Sequence, residues 1–301
     1  MKKVLFCFFL LFSTCAFAQV PAWKVDEPAY QYTMTLVAKV NLDGVQLSSK
    51  NDLVSAFVGT SCRGVSGLTY VESEKAYFAY LTVFSNTPGE LITFYVFNSA
   101  KNAITKISKQ VSFAPLQNIG NLFQSFSIAE PALSNKADLL TFEFLNVKSA
   151  SSIVTSGSAK VTIYEGNSLG NLTPVFTLSK GAKLYKNRLI QKSSTTADSF
   201  TGPVTYEVLS EDESTLSTYT INVTQIPAPP LFYKKDAVCN TLGAIKVESN
   251  KEGSTVSLSF NGKSIDNQVI TSGKASFFNL ASGTYVATIG TDSKVIVINI
   301  K

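Results

Sequence analysis

Apolar and polar residues alternate in short runs along most of this chain. The runs are rich in Val, Ile, Thr, Tyr and Phe, and Gly, Asn, Asp, Ser and Pro separate them. Alternation with a period of two places every second side chain on the same face of a strand, and no segment keeps the 3.6-residue period of a helix. The pattern therefore predicts an all-β protein built from consecutive antiparallel β-sandwiches.

The first 18 residues differ from the rest of the chain. Lys2 and Lys3 precede an apolar stretch at residues 4–12, and Ala16-Phe17-Ala18 follows it. This is the three-part pattern of a cleavable signal peptide, and it is too short for a membrane span. Lipidation at Cys15 is the alternative. Since no later stretch is long and apolar enough to span a membrane, we expect an exported protein that passes through the periplasm to the cell surface or the medium.

Two stretches that contain proline divide the remainder into three blocks. They are residues 131–138 and residues 227–230, and the second reads Pro-Ala-Pro-Pro. Domain boundaries usually fall in such exposed, extended connections. We therefore expect a signal peptide at 1–18, an N-terminal β-sandwich module at 19–130, a second module at 131–226 and a C-terminal module at 227–301.

The first block contains a set of spaced motif residues: Asp52, Ala56, Phe57, Gly59, Cys62, Arg63, Gly64, Gly89, Glu90 and Phe94. They resemble a β-module common in secreted Bacteroidetes proteins, in which D-x-x-x-A-F-V-G-x-x-C-R-G precedes a G-E-x-x-T-F turn. The resemblance covers most of the first block. It implies a β-rich module and no particular activity.

The second block has its own motif residues: Leu172, Pro174, Leu178, Gly181, Gln191, Ser193, Pro203, Tyr206, Glu211, Asp212, Tyr219 and Val223. They resemble an immunoglobulin-like surface module of Bacteroidetes. In that family an Asp-Phe pair precedes the Pro-Val-Thr-Tyr strand, whereas here Ser199 separates Asp198 from Phe200. The expected fold is therefore three consecutive antiparallel, immunoglobulin-like β-sandwich modules behind a signal peptide.

The third block contains Asn261-Gly262 between two alternating segments, which is the strongest short signal for a hairpin. Together with Gly283, Tyr285 and the terminal Lys301, it resembles the C-terminal sorting domain of type IX secretion cargo. That resemblance implies recognition by the secretion machinery. Residues 239–245 resemble an ordinary repeat of bacterial adhesins instead, so a plain β-module is the alternative.

Two local expectations follow for this C-terminal block. The turn before Tyr285 should require the conformational freedom of Gly283. Tyr285 and the alternating Ile296, Ile298 and Ile300 should face the core and hold the sandwich closed.

Charge and cysteine content exclude several classes of function. The chain has 26 basic and 21 acidic residues, and the basic ones are scattered. Because nucleic-acid binding needs a clustered basic surface, we expect no nucleic-acid partner. Cys62 and Cys239 lie outside the leader, and we expect two buried thiols, with a bridge between them as the alternative.

Histidine is absent from the sequence, which removes Ser-His-Asp and Cys-His catalysis and the commonest zinc ligand. We expect no enzyme, no metal and no cofactor. Glu211, Asp212 and Glu213 fall at a predicted hairpin tip, where we expect solvated carboxylates. Calcium at that tip, or near Asn41, Asp43 and Asp52, is the alternative.

The candidate ligand-binding residues are Trp23, Asp52 and Arg63. Asp52 and Arg63 lie on either side of a strand and turn, so they can meet across a hairpin, either to close the turn or to hold a ligand. The tyrosines of the first block, Tyr30, Tyr32, Tyr70, Tyr77 and Tyr80, are expected in the core. The alternative is that they are exposed and form a platform that stacks on sugar rings. Trp23 is the expected exception because it precedes the first strand.

These observations favour a non-catalytic, exported cell-surface or secreted protein that acts as an adhesion or binding scaffold. The alternative is a carbohydrate-binding accessory protein or a weak glycosidase, since two carboxylates suffice for glycoside hydrolysis. The expected partners are the secretion machinery, bound through the C-terminal module, and a glycan or a matrix protein.

Overall fold

The computed structural model describes residues 20–239 and 241–301, so the expected signal peptide lies outside the described residues. In this part of the chain there are 24 strands and one short 3-10 helix, Glu27–Ala29. The prediction of an all-β chain made of sandwich modules is confirmed. No helix of the described residues has the length and apolarity needed to cross a membrane.

The N-terminal module contains nine strands: β1 (Tyr32–Leu42), β2 (Val45–Gln46), β3 (Leu53–Val58), β4 (Ser61–Val71), β5 (Ala76–Ser85), β6 (Leu91–Asn98), β7 (Ala103–Ser112), β8 (Asn118–Ile119) and β9 (Phe126–Glu130). Their order is β2-β1-β5-β4-β3-β6-β7, and β8 and β9 pair with β1. Both of these last pairings are parallel, whereas β1 pairs antiparallel with β2 and β5. The sheet is therefore antiparallel except where β8 and β9 join β1.

Strand β1 shows why this sheet forms. Every second residue from Met34 to Leu42 is buried, and the intervening side chains point outward. The buried set joins residues of the other strands in one core, among them Val54, Leu81 and Phe94. Because β7 also lies against β9, the sheet curls around this core.

The middle part of the chain contains eight strands: β10 (Leu139–Phe144), β11 (Ser149–Thr155), β12 (Ser158–Tyr164), β13 (Pro174–Leu178), β14 (Lys183–Lys186), β15 (Leu189–Gln191), β16 (Val204–Leu209) and β17 (Leu216–Ile226). Strand β10 pairs with β13. Strand β12 pairs antiparallel with β11 and parallel with β17, and β14 pairs antiparallel with the end of β16.

The C-terminal module contains seven strands: β18 (Leu231–Lys235), β19 (Gly243–Glu248), β20 (Thr255–Phe260), β21 (Lys263–Val269), β22 (Lys274–Leu280), β23 (Gly283–Ile289) and β24 (Asp292–Ile298). They form two sheets, β18-β19-β22 and β21-β20-β23-β24. The buried residues of both sheets share one core, as in a sandwich.

The local expectations for this module are confirmed except at its last residues. Asn261 and Gly262 both have positive φ, as a two-residue hairpin turn requires. Gly283 has φ +149, and a Cβ there would run into the Phe260 ring. Tyr285, Ile296 and Ile298 are buried, but Ile300 is 70% exposed, because it follows the end of β24.

The terminal residues are held by Asp236 rather than by apolar contacts. Its carboxylate accepts hydrogen bonds from Lys234 Nζ at 2.8 Å and from the Asn299 amide at 3.1 Å, and Lys301 Nζ lies 3.5 Å away. The hydrogen bonds from Lys234 and Asn299 lower the pKa of this carboxyl to about 2. The Lys301 amide also donates to Ala237 O at 2.9 Å, so the backbone of this residue is bound to the module while its side chain stays exposed.

The chain forms two compact units. Unit one contains the residues up to Leu139 with Leu178–Ile190 and Glu207–Thr218, and unit two contains Leu140–Thr177, Gln191–Tyr206 and Tyr219–Lys301. Unit one thus combines the N-terminal module with β14 and with the hairpin at residues 210–215. The division of the chain into three consecutive modules stays a prediction.

This hairpin carries the acidic trio, and its environment overturns the expectation of solvated carboxylates. Asp212 and Glu213 are 8% and 7% exposed. One oxygen of Asp212 accepts hydrogen bonds from Ser210 Oγ at 2.7 Å and from the Ser214 amide at 3.0 Å, so that carboxylate closes the turn. The acidic trio is part of the interior of unit one and not a polar loop tip.

Glu213 connects the hairpin to β1. Its Oε1 forms an ion pair with Lys39 Nζ at 2.7 Å, and its Oε2 accepts a hydrogen bond from Ser125 Oγ at 2.6 Å. Ser134 adds backbone contacts: its amide donates to Glu211 at 3.0 Å and its carbonyl accepts from the Asp212 amide at 3.0 Å. Part of the expected joint at 131–138 is therefore hydrogen-bonded to the hairpin.

We predict that Glu213→Gln destabilises the protein by roughly 2 kcal/mol, because it leaves Lys39 without its charge partner in a largely buried position. Urea unfolding followed by tryptophan fluorescence measures this. The matched control is Asp43→Asn, which removes an exposed ion pair between Asp43 and Lys101 at 2.8 Å. Asp43 and Glu213 both have positive φ, so the two substitutions are made in similar backbone conformations. The control should cost less than about 1 kcal/mol. Equal losses in the two variants would contradict the structural role of the buried pair.

Candidate functional site

The outer face of the N-terminal sheet carries aromatic side chains. Because alternate residues of β5 point outward, Tyr80, Thr82 and Phe84 lie on the opposite side from the buried Leu81 and Val83. On β1, Val37 lies beside Tyr80 and Thr35 beside Thr82. The Tyr80 side chain is 48% exposed. The sheet therefore displays a tyrosine ring next to hydroxyl groups.

Trp23 and two further rings extend this outer surface. Trp23 stacks edge-on against Phe57 with ring centroids 6.2 Å apart, and Phe57 does the same against Tyr95 at 5.3 Å. Asn86 fixes the segment after Trp23, because its Nδ2 donates to Ala29 O at 2.8 Å. We call Trp23, Phe57, Tyr80, Phe84 and Tyr95 the aromatic face.

Arg63 lies at the base of this region, with partners other than the one expected. Its guanidinium forms an ion pair with Glu90 at 3.3 Å and lies 4.6 Å from the centre of the Tyr30 ring. It also donates to Phe84 O at 3.4 Å. Glu90 in turn accepts a hydrogen bond from Ser85 Oγ. Arg63 thus connects the segment before β1, the end of β5 and the segment before β6. Its Nε is buried without a hydrogen-bond partner.

Asp52 is buried and does not pair with Arg63. One carboxylate oxygen accepts hydrogen bonds from the Ser99 amide at 2.8 Å and from Ser99 Oγ at 2.6 Å, and the other accepts from the Ser49 amide at 3.3 Å. Asp52 therefore joins two loops. The expectation that Asp52 and Arg63 meet across a hairpin is wrong, because each charge is satisfied by a residue that lies closer in space.

Among the tyrosines of the first block Tyr77 packs against the core, but the expectation of core positions is wrong for Tyr32, Tyr70 and Tyr80. Tyr32, Tyr70 and Tyr80 are exposed, and the fully buried rings of this module are phenylalanines. The hydroxyl explains the difference, since a buried tyrosine needs a hydrogen-bond partner and a phenylalanine does not. Trp23 is partly buried. For Tyr80 the alternative of an exposed ring is the one that the structure shows, and its alternation with Ala79 and Leu81 could have indicated this.

An open cleft of ≈ 510 Å³ lies over the aromatic face. Its lining residues come from the segment before β1 and from the outer faces of β4 and β5: Trp23, Lys24, Val25, Glu27, Val65, Tyr80, Thr82 and Phe84. Apolar rings beside a few polar groups are typical of small-molecule sites. The arrangement can stack on a flat apolar surface while Glu27, Lys24 and Thr82 bond to hydroxyl groups.

The remaining sequence candidates do not form a chemical site. Among the described residues no group of three or more Cys, Asp or Glu side chains is placed to hold a metal ion. Cys62 and Cys239 are free thiols, so the alternative of a bridge is not realised. The expectation of two buried thiols is wrong, because Cys62 is only partly buried and Cys239 is exposed. Burial raises the pKa of the Cys62 thiol.

In unit two the ring of Tyr206 is buried against Phe142, with centroids 5.9 Å apart. The Tyr206 hydroxyl donates to Asp198 Oδ2 at 2.8 Å. Burial, followed by the hydrogen bond to Asp198 and its negative charge, raises the pKa of the Tyr206 hydroxyl well above its usual value. Asp198, which Ser199 separates from Phe200 in the sequence, thus binds a buried tyrosine of this module.

Comparison with known protein families gives a match in the middle of the chain. Residues 139–223 match the family model described as SGBP, N-terminal, a family of glycan-binding surface proteins of Bacteroidetes. The match fits a cell-surface protein from that group of bacteria. It does not cover the aromatic face. A search of curated proteins finds no match.

Solved structures resemble the chain only distantly. A protein of Bacteroides thetaiotaomicron, provisionally described as a glycoside hydrolase, is 12% identical over 55% of this chain and 82% of that chain, with a TM-score of 0.28. The I9–I11 tandem of titin is 10% identical over 90% of this chain and 97% of that chain, with a TM-score of 0.21. Scores this low carry no argument about function.

We predict that Tyr206→Phe destabilises the protein at neutral pH by about 1 to 2 kcal/mol, because Asp198 loses a hydrogen-bond donor. A raised pKa in the folded state means that the tyrosine loses its proton more easily when unfolded. Its contribution to stability is present below about pH 10 and is lost as the pH rises above that value. The difference in the free energy of unfolding between wild type and variant, measured with urea, should decrease from about pH 9 to pH 11. A constant gap would contradict this account.

Proposed function

We propose that this protein is a non-catalytic glycan-binding protein of the bacterial cell surface, and that its aromatic face holds the sugar rings. Of the two functions expected from the sequence, the family match at residues 139–223 supports the carbohydrate-binding alternative better than the adhesion scaffold. The observation that carries the proposal for the site is the exposed Tyr80 ring beside Trp23 on an open cleft.

The chemistry of the cleft suits this ligand class. Sugar rings present apolar C–H faces and a rim of hydroxyl groups, so they need flat apolar contacts and scattered polar partners at once. Trp23, Tyr80 and Phe84 supply flat apolar contacts, and Lys24 and Thr82 supply polar partners. Because the cleft is open, a polymer can cross it without having to enter a closed pocket.

The absence of catalysis is part of the proposal. Glycoside hydrolysis ordinarily uses two carboxyl groups about 5 to 9.5 Å apart on either side of the bond. Glu27 is the one carboxylate among the described residues that line the cleft. Glu90, nearby in the same module, is paired with Arg63. Neither arrangement resembles a pair of carboxylates that face each other across a substrate.

We predict that Tyr80→Ala weakens binding to a soluble polysaccharide by about tenfold or more, since a stacked aromatic side chain contributes at least about 1.5 kcal/mol. Affinity electrophoresis against a polysaccharide panel, followed by calorimetry on any ligand it identifies, measures this. Tyr70→Ala is the matched control, because Tyr70 is 46% exposed but does not line the cleft.

The same incubations test the absence of catalysis, which predicts no release of reducing sugars. Equal binding by the Tyr80→Ala and Tyr70→Ala proteins would remove the aromatic face from the proposal. Retention of a matrix protein and of no polysaccharide would restore the adhesion scaffold as the better function.

We further propose that the type IX secretion machinery recognises the C-terminal module and exports the chain. Ile245 and Val256 share one core with Tyr285 and Ile296, so the module has to be removed as a whole. Deletion of residues 227–301 should leave the protein in the periplasm, as measured by cell fractionation and immunoblotting. The Tyr80→Ala protein serves as the control, and it should reach the surface normally. Surface display of the deleted form would make this module an ordinary β-sandwich.

A further inference from the structure

Strand β11 lies at an open edge of its sheet in unit two. In the described part of the chain it pairs with β12 alone, through an antiparallel ladder. A strand with a single neighbour leaves half of its backbone N–H and C=O groups without a ladder partner, so it is a template for a further strand.

The register of the β11–β12 hairpin identifies the unpaired groups. A two-residue turn at 156–157 joins the strands, and the pair Thr155–Ser158 closes it. The closing pair of such a turn is hydrogen-bonded, and successive pairs of an antiparallel ladder alternate between hydrogen-bonded and non-hydrogen-bonded. The amide and carbonyl groups of Ser152 and Val154 therefore point away from β12. Within the described residues they form no backbone hydrogen bond.

The composition of β11 leaves this edge unprotected. The strand reads Ser-Ala-Ser-Ser-Ile-Val-Thr, with no charged residue and no proline. Charges and proline are the usual means by which sheets prevent pairing at an edge. Among the described edge strands of five or more residues, β7, β9, β10, β18, β21, β22 and β24 each contain Lys, Asp or Glu. Strand β13 begins with Pro174, and its Phe176 amide donates to Ser193 Oγ at 2.9 Å.

Ile153 lies at the middle of the unprotected stretch, and its side chain is 58% exposed. If a second copy pairs antiparallel about this residue, Ser152 lies opposite Val154 of the other copy, and each such pair exchanges two hydrogen bonds. Ile153 then lies opposite its own copy in a non-hydrogen-bonded pair, where side chains approach most closely. The unpaired backbone groups and the exposed apolar side chain are thus used by the same contact.

We propose that two copies of this protein associate through this edge, β11 against β11, about a two-fold axis at Ile153. An identical partner is favoured by the absence of charge, because antiparallel pairing of a strand with itself brings like charges close together across the axis. The same edge is used in both copies, so association ends at a dimer.

The dimer should be weak and reversible. Few hydrogen bonds and one apolar pair have to offset the lost freedom of two molecules, so we expect a dissociation constant on the order of 100 µM. Weak pairing suits chains that are concentrated on one cell surface, as proposed above, because a high effective concentration compensates for low affinity.

Sedimentation equilibrium of the chain without residues 1–18, from about 10 to 500 µM, tests this. Wild type should pass from monomer to dimer over this range. Ile153→Lys should raise the dissociation constant about tenfold or more, because it removes the apolar pair and places two ammonium groups across the axis. Leu140→Lys is the matched control and should dimerise like wild type, since Leu140 is 56% exposed in the same unit but lies on β10. Circular dichroism checks that each variant is folded.

Disulfide trapping tests the register of the pair in a Cys239→Ser background. Ile153→Cys should be trapped as a dimer by oxidised glutathione, which takes up the hydrogens of the two thiols and leaves as two reduced molecules. The geometry permits this, because the Cα atoms of a non-hydrogen-bonded pair lie about 4.5 Å apart. Thr155→Cys should not be trapped, since its copy would lie four residues further along the strand, about 13 Å away.

A concentration-dependent dimer that Ile153→Lys removes and Leu140→Lys retains, together with trapping at residue 153 and not at 155, supports the proposal. A chain that stays monomeric at the highest concentration, equal association of the two lysine variants, or trapping at residue 153 no stronger than at 155 makes it wrong. Polysaccharide binding dependent on Tyr80 is measured separately, so either proposal can fail while the other stands.

Discussion

A carboxylate that leaves water needs a partner of opposite charge or several donors, and Glu213 finds both on distant parts of the chain. Lys39 lies 174 positions away and Ser125 lies 88 positions away. This contact draws a hairpin of the middle strands into unit one. The hydrogen bonds of Ser134 and the burial of Asp212 both depend on where that hairpin lies.

Features that depend on near neighbours were predictable from the sequence. The alternation in β1 fixes which residues face the core, and Asn261-Gly262 fixes a turn through its two positive φ angles. Gly283 was expected because the turn before Tyr285 needs a backbone that side chains restrict, and its φ is +149. In each case the physical constraint acts over a few residues, so a short window of sequence contains all of it.

Features that depend on pairing between distant side chains were not predictable. The chain has 21 acidic residues, and the sequence alone does not indicate which of them pairs with Arg63. It pairs with Glu90 rather than Asp52 because a turn brings Glu90 beside it, while Asp52 is used by Ser99. The prediction of solvated carboxylates at the acidic hairpin was wrong for the same reason. Its sequence resembles a solvated tip, and only the fold supplies Lys39.

The position of the aromatic rings distinguishes a surface built for binding from one built for packing. Phe94 and Phe113 already pack in the core of the N-terminal module, so its stability does not require Tyr80 or Trp23 outside. An exposed ring adds apolar surface that water disfavours, and soluble domains seldom group several of them without a use. The proposed contact with a glycan therefore gives the aromatic face a reason that the packing of the module does not supply.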